Sequence, residues 1–206
     1  MPFDLSIYFV ADPECCGGRS VVDVVIEAAE AGVTMVQYRD KSYDMARISA
    51  NAAMLAELLK EYNIPLIIND HVDVAVAASA DGVHLGQGDS DPKAAREKLG
   101  FEAIIGQTAF TREQIEAVDD TVVDYIGVGP FYPTKTDKGK SVLGAEKFAA
   151  LVELSRVPVV GIGGITPDNT KAVIDADADG VAMMRSISEA SDIRAAVVAF
   201  QDALKG

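Results

Sequence analysis

Short apolar runs rich in β-branched residues alternate with longer stretches whose apolar positions recur every three or four residues, from one end of the chain to the other. The runs cover 5–11, 33–39, 65–69, 82–85, 103–106, 122–128, 157–162 and 180–184. They lack a strict polar and apolar alternation, as expected of parallel strands covered on both faces. Between the second and third runs, Met45, Ile48, Ala52, Leu55, Leu59 and Tyr62 form one stripe of a helix. Further helices are expected over 21–31, 72–79, 92–99, 112–118, 145–154, 167–175 and 193–204. The sequence Thr166-Pro167-Asp168 supplies an N-cap, a first-turn proline and an acid at the positive end of the dipole.

Eight strands alternating with eight helices predict an α/β chain folded as a (β/α)8 barrel, a single domain over residues 1–206. A doubly wound open sheet is the competing arrangement. The barrel is favoured by where polar residues fall, because strand after strand is apolar until its C-terminal end. Gln37 and Arg39, Asn69 and Asp70, Gln87 and Asp89, Thr108, Thr134 and Thr136, Gly163 and Gly164, and Arg185 and Ser186 all fall there. In a barrel those ends converge on one face.

Composition narrows the partners. With 49% hydrophobic and 24% charged residues over 206 positions, the chain builds a core without a disulfide or structural metal. Its formal charge of −14 offers no general positive field, which argues against nucleic acid. An anion can then be held only by a local basic cluster, by backbone N–H groups or through a metal ion. Cys15 and Cys16 match no metal spacing and read as reduced thiols. No apolar run approaches the roughly 20 residues of a membrane span, and the first residues lack a signal pattern, so a cytoplasmic protein without membrane contact is expected. The oligomeric state stays open, a homo-oligomer included.

Gln37, Arg39 and Lys41 follow at every second residue and so point to one side of a strand end. Two inward cations have no structural use there, which favours anion binding. Asp70 and Asp89, at the ends of neighbouring strands, suit one hard divalent cation such as Mg²⁺; the plainer alternative is that each caps the next helix. The stretch 129–136 nearly spells a nucleotide-binding phosphate loop, but Thr134 stands where the second glycine belongs. Gly161-Ile-Gly163-Gly164 lacks the spacing of a dinucleotide fingerprint, yet a glycine-rich turn after strand seven suits a phosphate. His84, within an apolar strand, reads as a hydrogen-bonded core residue, and no pairing suggests nucleophilic catalysis.

Taken together, Val36-Gln37-Tyr38-Arg39-Asp40-Lys41, Ile68-Asn69-Asp70, the stretch from Ala80 to Asp89, the stretch 129–136 and Val160-Gly161-Ile162-Gly163-Gly164-Ile165 resemble the thiamine-phosphate synthase (pyrophosphorylase) family from about residue 7 to residue 187. The resemblance implies a TIM barrel and a transferase. Its small-molecule substrates would be 4-amino-2-methyl-5-hydroxymethylpyrimidine pyrophosphate and 4-methyl-5-(2-phosphoethyl)thiazole. It implies Mg²⁺ on Asp70 and Asp89, with Arg39, Lys41 and Asn69 on the pyrophosphate and Gln37 on the pyrimidine. Thr134, Thr136, Gly163, Gly164, Arg185 and Ser186 would surround the thiazole phosphate.

Three positions depart from the family pattern. Gly106-Gln107-Thr108-Ala109-Phe110 keeps a hydroxyl at Thr108 but has no histidine. Thr136-Asp137-Lys138 moves the loop cation by one place, and Arg185 precedes Ser186-Ile187 where a serine and alanine are usual. Arg185 could offset the displaced Lys138. Two alternatives are a thiazole tautomerase, disfavoured by Phe110, and a non-catalytic barrel that binds thiamine phosphate as a regulator.

Overall fold

The computed structural model describes residues 3–136, 139 and 141–205. Among them the elements run β1 (Ile7–Ala11), α1 (Val21–Ala31), β2 (Met35–Tyr38), α2 (Met45–Lys60), β3 (Leu66–Asn69), α3 (Val72–Ala78), β4 (Gly82–Leu85) and α4 (Pro92–Leu99). The order continues with β5 (Ile104–Thr108), α5 (Arg112–Glu116), β6 (Tyr125–Val128), α6 (Gly144–Val152), β7 (Val159–Ile162), α7 (Pro167–Ile174), β8 (Gly180–Met183), α8 (Arg185–Ser188) and α9 (Ile193–Lys205). Each strand pairs in parallel with the next, and β8 returns to β1. Phe9 faces Val36 on one side and Met183 on the other, so the sheet has no edge and the open-sheet alternative falls.

Residue parity then sorts every strand. Tyr8, Val10, Met35, Ile67, Ile104, Tyr125, Val160 and Ala182 pack together inside the ring. Phe9, Val36, Ile68, Val83, Ile105, Ile126 and Val181 point outward and pack beneath the helices. Both sets are apolar, which is why the sequence shows runs instead of alternation. Each helix turns a narrow stripe to the ring, as α1 does with Val21, Val24, Val25 and Ala28, and Gly32 ends it at φ 99°. Pro167 opens α7 behind Thr166, whose N–H is held by Asn169 Oδ1 at 2.8 Å. A 3₁₀ turn at Pro13–Cys15 and the four-residue α8 are too short to show a period and went unread. Thr108 is the last residue of β5, two places beyond the end that the apolar run suggested. No helix among the described residues is long and apolar enough to cross a membrane.

The bottom of the ring is closed by a contact repeated four times. The residue before each even strand accepts a hydrogen bond from the N–H of an opening residue of the preceding odd strand. Ile7 N–H donates to Thr34 Oγ1 at 2.9 Å, Leu66 to Asp81 at 2.8 Å, Ile105 to Asp124 at 2.7 Å and Val159 to Asp179 at 2.7 Å. In return the N–H groups of Thr34, Asp81, Asp124 and Asp179 donate to the carbonyls of Ile7, Leu66, Ile105 and Val159. Strand starts that would lack a partner are thus satisfied in pairs. Asp124 also takes Arg96, whose guanidinium donates to the carbonyls of Gly100, Phe101 and Val122 as well.

Asp124→Ala should therefore lower stability by about 2–3 kcal/mol, because the largely buried Arg96 and the Ile105 N–H lose an acceptor together. The midpoint of thermal unfolding should drop by roughly 4–12 °C for a chain of this size. Calorimetry checks this, and the turnover measured well below the transition should match the parent protein.

Candidate functional site

The C-terminal ends of the strands surround a cavity of about 700 Å³, a size that suits small substrates. On the side of β2 to β4, the inward parity of Gln37 extends beyond the strand to Arg39 and Lys41, and all three line the cavity. The Arg39 guanidinium pairs with Asp12, which is only 3% exposed and sits in the turn after β1. The Lys41 ammonium pairs with Asp70 across the mouth. Between the two cations, buried Asp40 faces the other way. It accepts from Tyr38 Oη at 3.1 Å and from Arg47 on α2 at 3.0 Å, which anchors the loop that carries Lys41.

Asn69 ends β3, and Asp70 follows it at φ 62°, a left-handed conformation that short polar side chains tolerate better than bulky ones. Its N–H donates to the carbonyl of His84 at 2.9 Å. His71, not Asp70, occupies the cap position of α3, and Asp91, not Asp89, caps α4. The plainer reading of the two aspartates as helix caps therefore fails. Asp89 folds back so that its carboxylate accepts from Gly86 N–H at 2.7 Å. Burial and the adjacent Asp70 carboxyl hold the Asp89 acid above its ordinary range. A hard divalent cation between them would relieve that repulsion. Among the described residues no group of three or more His, Cys, Asp or Glu forms a complete cage. A pair of carboxylates that leaves sites for water and phosphate oxygens is a donor set suited to Mg²⁺.

On the side of β6 to β8, the segment 129–136 folds over the glycine turn that follows β7. Gly163 and Gly164 have φ values of 97° and 67°, and a Cβ would lie 2.6 Å from Pro130 Cβ and 2.5 Å from the Pro133 carbonyl. Glycine is demanded there by the turn and by close approach. Thr134 Oγ1 accepts from Thr136 N–H at 3.3 Å, so it also shapes its own turn. Arg185 opens α8, pairs with Glu189 and donates to Thr136 Oγ1 at 3.4 Å, while the Ser186 hydroxyl donates to the Ile165 carbonyl. Thr134, Lys135, Thr136, Gly163, Gly164, Arg185 and Ser186 all line the cavity.

The floor between the two sides is polar. Gln37 Nε2 lies 2.7 Å from Tyr8 Oη, which lies 2.7 Å from Tyr125 Oη. Tyr125 Oη is 3.0 Å from His84 Nδ1, and His84 Nε2 is 2.9 Å from Thr108 Oγ1. Burial pushes the His84 imidazole down to about 4, so it is neutral at physiological pH. Burial likewise pushes both phenols well above their ordinary value, so they keep their protons.

Every site residue expected from the sequence and within the described residues borders this one cavity. Lys138 and its neighbour Asp137 lie outside the described residues. His84 is a hydrogen-bonded interior residue, as expected, but it also borders the cavity. Asp12 and the two tyrosines went unread. Asp12 looks like a turn residue until Arg39, 27 positions away, is seen beside it. The parity of Tyr8 within β1 was the available signal for its inward direction. Cys15 and Cys16 are buried behind the site. Cys16 Sγ donates to the Asp12 carbonyl at 3.2 Å, and burial raises both thiols, Cys16 to about 11.

Comparison with known proteins bears on the family and the fold. Residues 7–187 match the family model described as thiamine monophosphate synthase. A thiamine-phosphate synthase of Azorhizobium caulinodans is 44% identical over 194 residues, 93% of this chain and 91% of that protein. One from Natronomonas pharaonis is 38% identical and covers 100% of this chain and 98% of its own. Among solved structures, thiamine phosphate pyrophosphorylase from Pyrococcus furiosus superposes with a TM-score of 0.88 at 31% identity, covering 99% of this chain and 97% of its own. With matches of this identity along nearly its whole length, the chain belongs to the thiamine monophosphate synthase family.

Proposed function

We propose that the cavity joins 4-amino-2-methyl-5-hydroxymethylpyrimidine pyrophosphate to 4-methyl-5-(2-phosphoethyl)thiazole, giving thiamine phosphate and pyrophosphate. The observation that carries this reading is the division of the rim. Arg39, Lys41, Asn69, Asp70 and Asp89 meet on β2 to β4, while Thr134, Thr136, Gly163, Gly164, Arg185 and Ser186 meet on β6 to β8. Two anionic substrates need two such grips, with the polar floor at Gln37 and Thr108 between them.

In this reading Arg39, Lys41 and Asn69 hold the pyrophosphate, and Asp70 and Asp89 would hold Mg²⁺, which would supply charge neutralisation for the leaving group. The bond between the pyrimidine methylene carbon and the pyrophosphate oxygen breaks first, and its electron pair leaves with the pyrophosphate. The aminopyrimidine stabilises the methylene cation, which the thiazole nitrogen then attacks. Arg39 and Lys41 act by stabilising developing negative charge, and the opposite grip acts by holding the thiazole in line. Arg185 strengthens that grip by pairing with the thiazole phosphate, in exchange for Glu189. No side chain forms a covalent intermediate.

Lys41→Ala and Asp89→Ala should each lower kcat/KM by on the order of 10²-fold or more while the fold is retained, as judged by circular dichroism and steady-state rates. Undiminished turnover by either variant would refute the pyrophosphate grip. Pyrophosphate should appear only when both substrates are supplied, should stop with a chelator and should return with added Mg²⁺. A thiazole isomerisation without pyrophosphate release would instead favour the tautomerase. Arg185→Ala should raise KM for the thiazole phosphate about tenfold and leave KM for the pyrimidine unchanged.

A further inference from the structure

The floor contacts form an unbroken series from Gln37 on β2 to Thr108 on β5, through Tyr8, Tyr125 and His84. Each hydroxyl in it has one hydrogen to give, and a neutral imidazole has one donor and one acceptor nitrogen. Gln37 Nε2 can only donate, so Tyr8 Oη accepts from it, and with no other acceptor beside it among the described residues its own hydrogen goes to Tyr125. Tyr125 in turn gives its hydrogen to His84 Nδ1, which leaves His84 protonated at Nε2 and donating to Thr108 Oγ1. The Thr108 hydroxyl, having accepted, keeps its own hydrogen for the cavity. At the other end, among the described residues, no partner meets Gln37 Oε1, which is left as an acceptor beside the cavity. If the Gln37 amide turned over, every bond in the series would reverse and His84 would change tautomer. The two ends therefore cannot be set independently.

The series is also held in place sterically. The Tyr125 ring lies so close over β5 that a Cβ on Gly106 would sit 2.1 Å from the ring carbon that bears the hydroxyl. Beside β6, a Cβ on Gly127 would come within 3.3 Å of the His84 ring. The missing side chains at these two inward positions make room for the two rings that connect the series. Buried hydroxyls without partners are absent from it, since no buried side-chain polar atom among the described residues lacks a hydrogen bond.

We infer that Tyr8 and Tyr125 are positioning residues that set one direction for this series, so that the cavity floor offers an acceptor at Gln37 and a donor at Thr108. The acceptor at Gln37 favours a ring that presents a donor amino group, and it disfavours the oxo analogue, whose exocyclic group accepts. The choice of ligand rests on the coupling reading above, whereas the order of the series does not.

The chain has only two histidines, His71 and His84, so nitrogen NMR of the full-length protein labelled at histidine resolves both, and His71→Gln assigns them. At neutral pH the ligand-free protein should show His84 as the Nε2–H tautomer. Tyr125→Phe removes the donor to Nδ1 and should give a mixture of tautomers. It should also raise KM for the pyrimidine substrate roughly tenfold, with kcat and the thiazole KM within about twofold of the parent. The parent should bind the 4-oxo analogue about tenfold or more weakly than the 4-amino ring, and this preference should shrink in Tyr125→Phe. Tyr8→Phe, which cuts the series one link further away, should act in the same direction and guards against a variant that misfolds. An Nδ1–H tautomer in the parent, or a tautomer and ring preference unmoved in both variants, overturns the inference. The expected tautomer in a protein that couples nothing would overturn the ligand assignment while leaving the ordered series standing.

Discussion

Ring closure by parallel strands is the constraint on which the rest depends. A closed parallel sheet has no edge and sends every C-terminal end to the same rim, so residues far apart in sequence must meet there. It also makes parity decisive, because one step along a strand exchanges cavity for helix layer. Gln37 faces the cavity while Val36 and Tyr38 pack outward, and Thr108 does so while Ile105 packs beneath the helices. Gln37 and Thr108 need no loop to be aimed, being the last inward positions of strands whose earlier inward positions form the plug of the ring, while Arg39, Lys41, Asp70 and Asp89 follow in the turns just beyond.

An acidic chain that belongs to a family of transferases must place local positive charge where an anion is to bind. It does so at the rim, where each of three cations rests on a carboxylate: Arg39 on Asp12, Lys41 on Asp70 and Arg185 on Glu189. Pairing keeps these long side chains in place. The half-exposed pairs are worth little in water, so an arriving phosphate can exchange for the carboxylate at small cost. Asp12 is the exception, being buried at 3% exposure, and it fixes Arg39 more firmly than the others are fixed. Asp70, once released from Lys41 in this way, is left beside Asp89 with its carboxylate free.

Much of the ring and rim could be read from the sequence because both rest on local signals. Apolar runs broken by Gly, Pro and Asp gave the strands, and the 45–62 stripe gave α2. Polar residues at strand ends gave Gln37, Arg39, Lys41, Asn69, Asp70, Asp89 and Thr108. What could not be read depends on contacts between distant residues. Tyr8 and Tyr125 are 117 positions apart, and each alone is an aromatic residue in a β-rich run. His84 shows its hydrogen-bonding need in sequence but not its neighbours. The glycines at 163 and 164 were legible as a turn, whereas the prolines that crowd them were not. Short elements escaped for a different reason, since the four residues of α8 hold little more than one helical repeat.

The fourfold contact beneath the ring has a consequence of its own. Thr34, Asp81, Asp124 and Asp179 tie neighbouring strands in pairs at the end opposite the rim. Rigidity and reactivity are thereby assigned to opposite poles of one short cylinder. The mouth is free to change its lining without loosening the base that keeps the cylinder round.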